Sequence, residues 1–399
     1  MPFAYQYITT ADARDRAISA LAREPVIGVD IEGASLHRYR DRVSLIQISG
    51  AEDHYVFDPL RLDTVLPLGA LLENRSILKV FHGADYDLAS LKRDFGFRVA
   101  PIFDTALAAR AAGIAPFSLQ SLIERFFQVR VSKAHQKSDW SCRPLSTSQL
   151  DYAVADTAYL IRLYECLQTA VAERGRTDQI EEECRLLSEI EWSDPDEADP
   201  MQIRGASKLP TEAKRIFPSL VALRNRLAEA RDVPRFKVMS NDDLFRLAKA
   251  APTDYDGLVK CFDRPRSTLL RHAEEWLAAV AAGQSAPVPQ TDRVRTPRRP
   301  PPTPAQEQTI SKLIQWRNAQ AMAEGVEPAM VLTHGVIRRL VMEGVCTSDA
   351  LAPFLRQWQI RRYADALMTH LAPAASSSAP TPSMAFSAPA DSGPREGDP

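Results

Sequence analysis

The sequence is poor in cysteine, in net charge and in long apolar runs. Only five of its 399 residues are cysteine and no two are spaced as CxxC, which argues against a disulfide framework and a structural zinc site. The formal net charge is −2, so polyanions would have to bind through local basic patches or metal. No run is long enough to span a membrane, and the N-terminus lacks a signal-peptide core. We therefore expect a cytoplasmic protein.

A short apolar run, VIGVDIEG from Val26 to Gly33, predicts a buried strand because it is rich in β-branched residues and follows Pro25. Asp30 and Glu32 end this run two residues apart, so in an extended chain both side chains point to one face. Two carboxylates at the end of a buried strand need a compensating arginine or metal ion. Taken alone, Asp-x-Glu is also typical of a solvated strand end.

The N-terminal part alternates between strand and helix patterns, which predicts an α/β domain. Runs at 43–49 and 53–58 predict strands that form an antiparallel meander with the first strand. Further strands are expected at 77–83 and 98–103. Helical spacing of apolar residues predicts helices at 10–23, 65–73, 85–95, 105–113, 118–127 and 146–174.

Shifts in composition divide the chain into six segments. The C-terminal segment has the Pro/Ser/Ala composition of disorder. The predicted segments are an α/β domain at 1–178, an acidic linker at 179–206, a helical domain at 207–283, a Pro-rich linker at 284–305, a second helical domain at 306–371 and a tail at 372–399.

The two helical segments are weakly similar to each other. LRNRLAEARDVP at Leu223–Pro234 matches WRNAQAMAEGVEP at Trp316–Pro328, and VMSNDDLFRLA matches VLTHGVIRRLV in the helix that follows. This pattern predicts a duplicated small helical domain. The alternative is a coincidental similarity between two amphipathic helices. The shared Arg-Asn pair and the shared Pro argue against coincidence.

More carboxylates follow in suitable places. The strand ILKVFHG leads into Asp85 and Asp87, which stand two apart at a helix start and cannot face the same way. Tyr152 and Asp156 are four apart in a predicted helix and share a face. A core aromatic is the alternative reading of Tyr152. An all-oxygen ligand set of this kind suits Mg²⁺ or Mn²⁺.

Taken in order, VDIE, FHGADYDL and DYAVAD resemble the three motifs of the DEDD exonuclease superfamily in its tyrosine-bearing branch, and most nearly the ribonuclease D family. The helical segments resemble helicase-and-ribonuclease-D C-terminal (HRDC) domains, the second being degenerate. The resemblance covers about residues 3–370. It implies a ribonuclease H-like α/β domain, with a five-stranded mixed sheet and flanking helices, followed by two small all-α domains.

The resemblance also implies a 3′→5′ exoribonuclease that releases 5′-mononucleotides by two-metal hydrolysis with Mg²⁺ or Mn²⁺. Asp30, Glu32 and Asp156 would hold the metal that activates water. Asp30 would bridge to a second metal supported by Asp87, and Tyr152 would orient the attacking water.

In the family the second-motif aspartate lies five residues after a histidine. Counting from His82 therefore selects Asp87, with Asp85 as the competing choice.

Four further residues are candidate substrate-binding groups, although a solvated charged loop and a structural histidine are the alternatives: His82, Lys133, Lys137 and Arg143. The expected substrate is RNA, with 3′ ends of tRNA precursors typical of the family. We expect a monomer, with no protein partner and no membrane. The alternative functions are a DNA 3′→5′ exonuclease and a non-catalytic nucleic-acid-binding module. The latter is disfavoured because no motif carboxylate is missing.

Overall fold

The structure is a computed structural model that describes residues 3–192, 199–264, 267–289 and 300–371. These residues form two compact units. One contains the described residues up to 301 together with 317–333, and the other contains 302–316 and the described residues from 334 onward. Among the described residues, no helix has the length and apolar character needed to cross a membrane.

The α/β domain is built on one mixed sheet of six strands in the order β1-β4-β3-β2-β5-β6. Strands β2, β3 and β4 are antiparallel neighbours, whereas β1 pairs with β4, β5 with β2 and β6 with β5 in parallel. The strands are β1 Gln6–Ile8, β2 Val26–Gly33, β3 Val43–Ser49, β4 His54–Phe57, β5 Leu78–Phe81 and β6 Ile102–Asp104.

The predicted meander is confirmed, and the predicted count of five strands is wrong by one. The additional strand, β1, has three residues, which is too short for an alternating pattern to be visible in the sequence. It becomes a strand because it pairs with β4 in the folded chain, from Gln6–Tyr55 to Ile8–Phe57.

Eight helices surround the sheet within the described residues up to 192. Their bounds are α1 Ala11–Leu21, α2 Leu68–Leu72, α3 Asp85–Phe95, α4 Thr105–Ala111, α5 Leu119–Phe127, α6 Thr147–Ala158, α7 Leu160–Glu173 and α8 Thr177–Ser188.

The single long helix predicted at 146–174 is two helices, α6 and α7, which meet at Tyr159. No Pro or Gly marks this break. Instead, the end of α6 lies directly on the sheet, where a Cβ atom on Gly28 would come 2.9 Å from the Thr157 carbonyl oxygen. The break therefore lies where α6 packs closely on the sheet, and this position of the sheet requires glycine.

The predicted linker at 179–206 is wrong in its first part, because these residues continue α8. Ile180 and Cys184 of α8 are buried in the core of the α/β domain. The apolar residues of this segment recur at helical spacing, which is the pattern of an amphipathic helix. The acidic composition led us to predict a linker instead. Residues 193–198 of the predicted linker, 290–299 of the Pro-rich linker and the predicted tail at 372–399 lie outside the described residues.

The first helical domain packs its helices around Leu220 and Trp276. Helices α9 and α14 approach closely at Gly283, where a Cβ atom would lie 2.5 Å from Ile216 Cα. Tyr39, from the loop between β2 and β3, packs against the same core. The helices are α9 Thr211–Ala230, α10 Arg235–Val238, α11 Asn241–Ala250, α12 Tyr255–Lys260, α13 Ser267–Arg271 and α14 Ala273–Ser285.

The last helices are α15 Pro304–Glu324, α16 Pro328–Val331, α17 His334–Met342 and α18 Gln357–Leu371. The succession of a long helix, a four-residue helix after a proline and an amphipathic helix occurs both in α9–α11 and in α15–α17, as the sequence similarity predicts. Residues 317–333, which we assigned to the second helical domain, belong to the first unit, where Glu324 forms an ion pair with Arg176.

Candidate active site

Three carboxylates meet on the face of the sheet that α6 covers. Asp30 and Glu32 point to this face of β2, while Ile27, Val29 and Ile31 are buried on the opposite face. Asp156 approaches from α6, where it is 8% exposed. One oxygen from each of the three carboxylates lies within 4.8 Å of the others. The structure thus brings together residues from the first and last of the three motifs.

Hydrogen bonds at both ends of α6 hold it in place over these carboxylates. Its N-terminus carries a capping box between Ser146 and Gln149. Near its C-terminus, the Thr157 hydroxyl lies 2.7 Å from Ser49 Oγ on β3, and Ser49 Oγ in turn lies 2.8 Å from His54 Nδ1. Both ends of the helix that carries Tyr152 and Asp156 are therefore fixed.

The second motif contributes Asp87. This side chain is 6% exposed at the start of α3, and its charge raises the pKa of Asp30, whereas Asp85 is exposed. Tyr86, between them, faces Gly33, where a Cβ atom would come 2.0 Å from the Tyr86 hydroxyl oxygen. The geometry therefore favours Asp87 over Asp85.

The loop before Asp87 is held by Asp104 at the end of β6. Its carboxylate accepts hydrogen bonds from the backbone N–H groups of Gly83 and Ala84, at 3.1 and 2.8 Å. It also caps α4 by accepting from Ala106 and Leu107. One buried carboxylate thus joins the second motif to the edge of the sheet.

The cluster is electrostatically unfavourable without cations. Burial, followed by repulsion from neighbouring carboxylates, raises the pKa of Glu32 to about 9 and raises the pKa of Asp30. Burial raises the pKa of Asp156 to about 7, against a hydrogen bond with Tyr152 that lowers it. Burial also raises the pKa of Asp87, together with the charges of Asp104 and Asp85.

The residues present suit divalent cations. Asp156 Oδ1 is buried and has no hydrogen-bond partner among the described residues. An unpaired buried carboxylate oxygen is costly unless a hydrogen-bond donor or a cation lies next to it. Here its neighbours are the carboxylates of Asp30 and Glu32, which cannot donate when ionised. Such an oxygen-only set matches the ligands that Mg²⁺ and Mn²⁺ prefer.

Tyr152 lies at the edge of the cluster and is 8% exposed. Its ring packs 6.0 Å from Trp140 and 6.1 Å from His135, measured between centroids, and its hydroxyl lies near the Asp156 carboxylate. Burial and the nearby carboxylates raise the pKa of Tyr152 above its ordinary value of 10.0. The residue is therefore both a core aromatic and a neutral hydroxyl at the carboxylate cluster.

Comparison with known proteins decides the family. The profile of the family described as 3′-5′ exonuclease matches residues 5–172, and that of the HRDC domain matches residues 213–280. Ribonuclease D of Acidiphilium cryptum is 32% identical over 306 residues, covering 74% of this chain and 76% of that protein. The chain belongs to the ribonuclease D family.

Other relatives agree with this assignment. Ribonuclease D of Gluconacetobacter diazotrophicus is 29% identical over 365 residues and covers 90% of both chains. Among solved structures, Escherichia coli RNase D, an exoribonuclease, has a TM-score of 0.69 at 25% identity and covers 92% of this chain and 99% of that chain. The predicted resemblance is confirmed, and the chain is a 3′→5′ exoribonuclease.

Arg143, a predicted substrate-binding residue, is an internal anchor in this ribonuclease D-family chain. It forms a two-pronged ion pair with Asp58, which is 0% exposed, at 2.6 and 2.7 Å. Its remaining N–H groups donate to the carbonyls of Trp140, Cys142 and Ser44 at 2.6–2.8 Å. All five guanidinium donors are engaged within the protein, so the structure leaves none for the phosphate contact predicted from the sequence.

The other three predicted substrate-binding residues are placed differently. His82 lies next to α4, where its Nδ1 is 2.9 Å from Thr105 Oγ1, and burial lowers its pKa. Lys133 and Lys137 are exposed on the loop that leads to Trp140, and the Lys137 carbonyl lies 3.0 Å from His37 Nε2. Of the four, the two lysines are exposed, whereas His82 and Arg143 are partly buried.

The sequence analysis missed Gln47 and His135. Gln47 is the cross-strand partner of Asp30 and is 0% exposed, and neither of its side-chain amide atoms has a hydrogen-bond partner among the described residues. The sequence LIQIS could have indicated Gln47, because the polar atoms of an amide in a buried, mostly apolar strand need hydrogen-bond partners. His135 carried no signal, since only the fold brings its ring to Tyr152.

Proposed function

We propose that this exoribonuclease removes 5′-mononucleotides one at a time from RNA 3′ ends by two-metal hydrolysis at Asp30, Glu32, Asp87 and Asp156. The observation that carries the proposal is the convergence of three carboxylate oxygens within 4.8 Å, with Tyr152 beside them. A mechanism of this type needs acidic oxygen ligands around cations roughly 3.5–4 Å apart.

In this proposal Asp30, Glu32 and Asp156 hold one Mg²⁺ or Mn²⁺ ion, and Asp30 and Asp87 hold a second. Bound there, the cations would lower the pKa of a water molecule and stabilise the attacking and leaving oxygens. Asp156 Oδ1 would gain the partner that it lacks among the described residues. The cations would also compensate the burial and the mutual repulsion that raise the pKa values of Asp30 and Glu32.

Tyr152 would position the attacking water through its hydroxyl. A phenol whose pKa is raised above 10.0 is a poor base at neutral pH, so it does not accept the proton. The ring is held by Trp140, and the hydroxyl is aligned by Asp156 one helical turn away. Positioning by a fixed hydroxyl is the role that this packing supports.

We propose structured RNA, with tRNA precursors as an example, as the substrate class. The support is similarity to Escherichia coli RNase D, which is described as involved in structured RNA processing, and the presence of an HRDC domain at 213–280.

The test is incubation of the full chain with 3′-labelled single-stranded RNA and matched DNA, with Mg²⁺, with Mn²⁺ and with excess EDTA. We expect labelled 5′-mononucleotides from RNA only when a divalent cation is present. Preferential hydrolysis of DNA would select the DNA exonuclease alternative, and full activity in EDTA would overturn the metal mechanism. A precursor tRNA with a 3′ extension then tests the substrate class.

A further inference from the structure

We propose, as an extension of the proposed function and resting on it, that the cleft between the α/β domain and the first helical domain binds the phosphates of the RNA strand on the 5′ side of the scissile nucleotide. The cleft has a volume of about 880 Å³. Both of its walls belong to the same compact unit, one from the loop between β2 and β3 and the other from α9 and α10.

The lining of the cleft is rich in arginine. Six arginines and three aspartates line it, and two of the arginines, Arg38 and Arg40, pair with Asp232 and Glu229, which are not lining residues. The three aspartates already have partners: Asp41 and Asp94 bind Arg93, and Asp199 accepts from the Met201 N–H. The six arginines are Arg38, Arg40, Arg42, Arg93, Arg224 and Arg235.

Arg224 points to an anionic ligand. It is 5% exposed, and its side chain donates only to the neutral amides of Asn241 and Asn225, at 2.7 and 3.2 Å. No carboxylate pairs with it among the described residues, and burial lowers its pKa. A buried guanidinium without a counter-charge is costly, and a bound phosphate diester would supply that charge with matching geometry.

The opposite wall supplies a second cation, and each wall carries an aromatic side chain. Arg42 is exposed, and within the part of the chain that the structure describes it forms no ion pair. Phe236 is 50% exposed on the helical wall, and Arg235 lies 5.2 Å above the Tyr39 ring. Basic groups with exposed aromatic rings are the features that hold single strands through phosphates and stacked bases.

The cleft adjoins the carboxylate cluster. Ser35, at its edge, follows Glu32 by three residues, so their Cα atoms are at most about 11 Å apart. Arg42 directly precedes Val43, which pairs with Gly33 at the end of β2. An RNA strand whose 3′ end lies at Asp30 can therefore reach the cleft within a few nucleotides, and in this proposal a dinucleotide makes fewer contacts with the cleft than a longer strand.

The test compares Arg224→Gln and Arg42→Gln with the parent full-length chain on two substrates, a dinucleotide and a single strand of about 12 nucleotides, which is within the site sizes of single-strand binders. We expect each variant to weaken binding of the longer strand about tenfold. Each should also reduce the slope of log affinity against log salt by about 0.7, the value for one phosphate contact on a single strand. Dinucleotide hydrolysis should stay unchanged.

Matched controls separate the cleft from general charge. Arg226→Gln removes an arginine two residues further along α9, where it is paired with Glu275 outside the cleft, and Arg16→Gln removes an exposed arginine of α1. Both should bind the longer strand as the parent chain does. Arg42 is exposed, so its variant keeps the test decisive if Arg224→Gln fails to fold.

Unchanged affinity and salt slope in Arg42→Gln and in folded Arg224→Gln would overturn the cleft proposal and leave the exonuclease intact. An equal loss in the control variants would overturn it as well, because a diffuse field would then explain binding. If the parent chain hydrolyses neither the dinucleotide nor the longer strand with Mg²⁺ or Mn²⁺, the proposed function is wrong. Hydrolysis and binding are measured separately, so this failure is distinguished from failure of the cleft proposal.

Discussion

Tyr152 combines a packed ring with a hydroxyl at the carboxylate cluster. Trp140, 1% exposed, packs against the ring, and the hydroxyl lies near the Asp156 carboxylate. Removing the oxygen alone therefore separates the two contributions, because phenylalanine preserves the packing.

We expect Tyr152→Phe to lower the single-turnover rate about 100-fold, the lower range for a group that positions a proton-transfer partner. RNA affinity and cation binding should be retained. Tyr159→Phe, at the junction of α6 and α7, is the matched control and should behave as the parent chain. A parental rate in Tyr152→Phe would show that the side chain serves only the core.

Asp85 and Asp87 test the assignment of the second motif. Asp87 is buried beside the cluster, so Asp87→Asn should lower the rate about 100-fold or more by removing a cation ligand. Asp85 is exposed, and Asp85→Asn should change the hydrolysis rate and the equilibrium constant of unfolding by about twofold at most. The reverse order of effects in the same single-turnover assay would show that our assignment is wrong.

Much of the site could be predicted at the residue scale because spacing alone determines which side chains share a face. Asp30 with Glu32, and Tyr152 with Asp156, followed from strand and helix periods. Arg143 could not be predicted, because its role depends on Asp58, a residue 85 positions away that the fold buries.

At the scale of elements, the ion pair between Arg143 and Asp58 anchors the loop that carries Trp140 and His135 to β3 and β4. The Ser44 and Trp140 carbonyls accept from the same guanidinium. The loop that packs on Tyr152 is therefore attached to the sheet through one side chain.

We expect Arg143→Gln to lower the free energy of unfolding by about 3 kcal/mol, since breaking a buried pair leaves Asp58 without its counter-charge. Urea denaturation measures the change. Arg130→Gln, at a pair whose arginine is 89% exposed, is the control and should change stability by less than about 0.5 kcal/mol. Weaker RNA binding at unchanged stability would instead restore Arg143 as a substrate ligand.

Elements with a strong local pattern were predictable, and those determined by tertiary contact were not. The runs of β2 and β3 and the helix at 85–95 carry clear periods. The edge strand β1 and the end of α6 at Gly28 depend on partners distant in sequence. Helix α8 was predicted as part of a linker because we gave more weight to its acidic composition than to the helical spacing of its apolar residues.

At the scale of the whole molecule, the carboxylate cluster links stability to pH and cations. The pKa of Glu32 is raised from 4.5 to about 9, so between these values the folded chain binds more protons than the unfolded chain. The unfolding free energy of the cation-free protein should therefore fall as pH rises from about 5 to about 9. Mg²⁺ that binds only the folded state should offset this loss.

Thermal or urea unfolding across this pH range, with Mg²⁺ and with EDTA, measures the effect. Glu32→Gln removes one of the titrating groups and should reduce the slope in EDTA, while Asp156, whose pKa burial raises to about 7, retains part of it. A slope in the parent chain that is identical with and without Mg²⁺ would contradict cation binding at these carboxylates.

Truncation tests the division of labour along the chain. All motif residues precede Arg174, so a chain ending at Trp192 should still hydrolyse a dinucleotide. It should be less stable, because Arg176 loses Glu324, and it should bind longer RNA more weakly. Equal loss on the dinucleotide and on longer RNA would mean that the helical modules build the active site.

The packing of Tyr39 limits how segments of this chain can be exchanged with those of related proteins. The side chain comes from the loop after β2 but packs against the core of the first helical domain, and Arg38 and Arg40 of the same loop pair with Asp232 and Glu229. A chimaera that exchanges residues 207–283 alone would therefore mismatch this loop. The loop and the helical domain form one transferable module, although Tyr39 lies 168 positions before the start of that domain at residue 207.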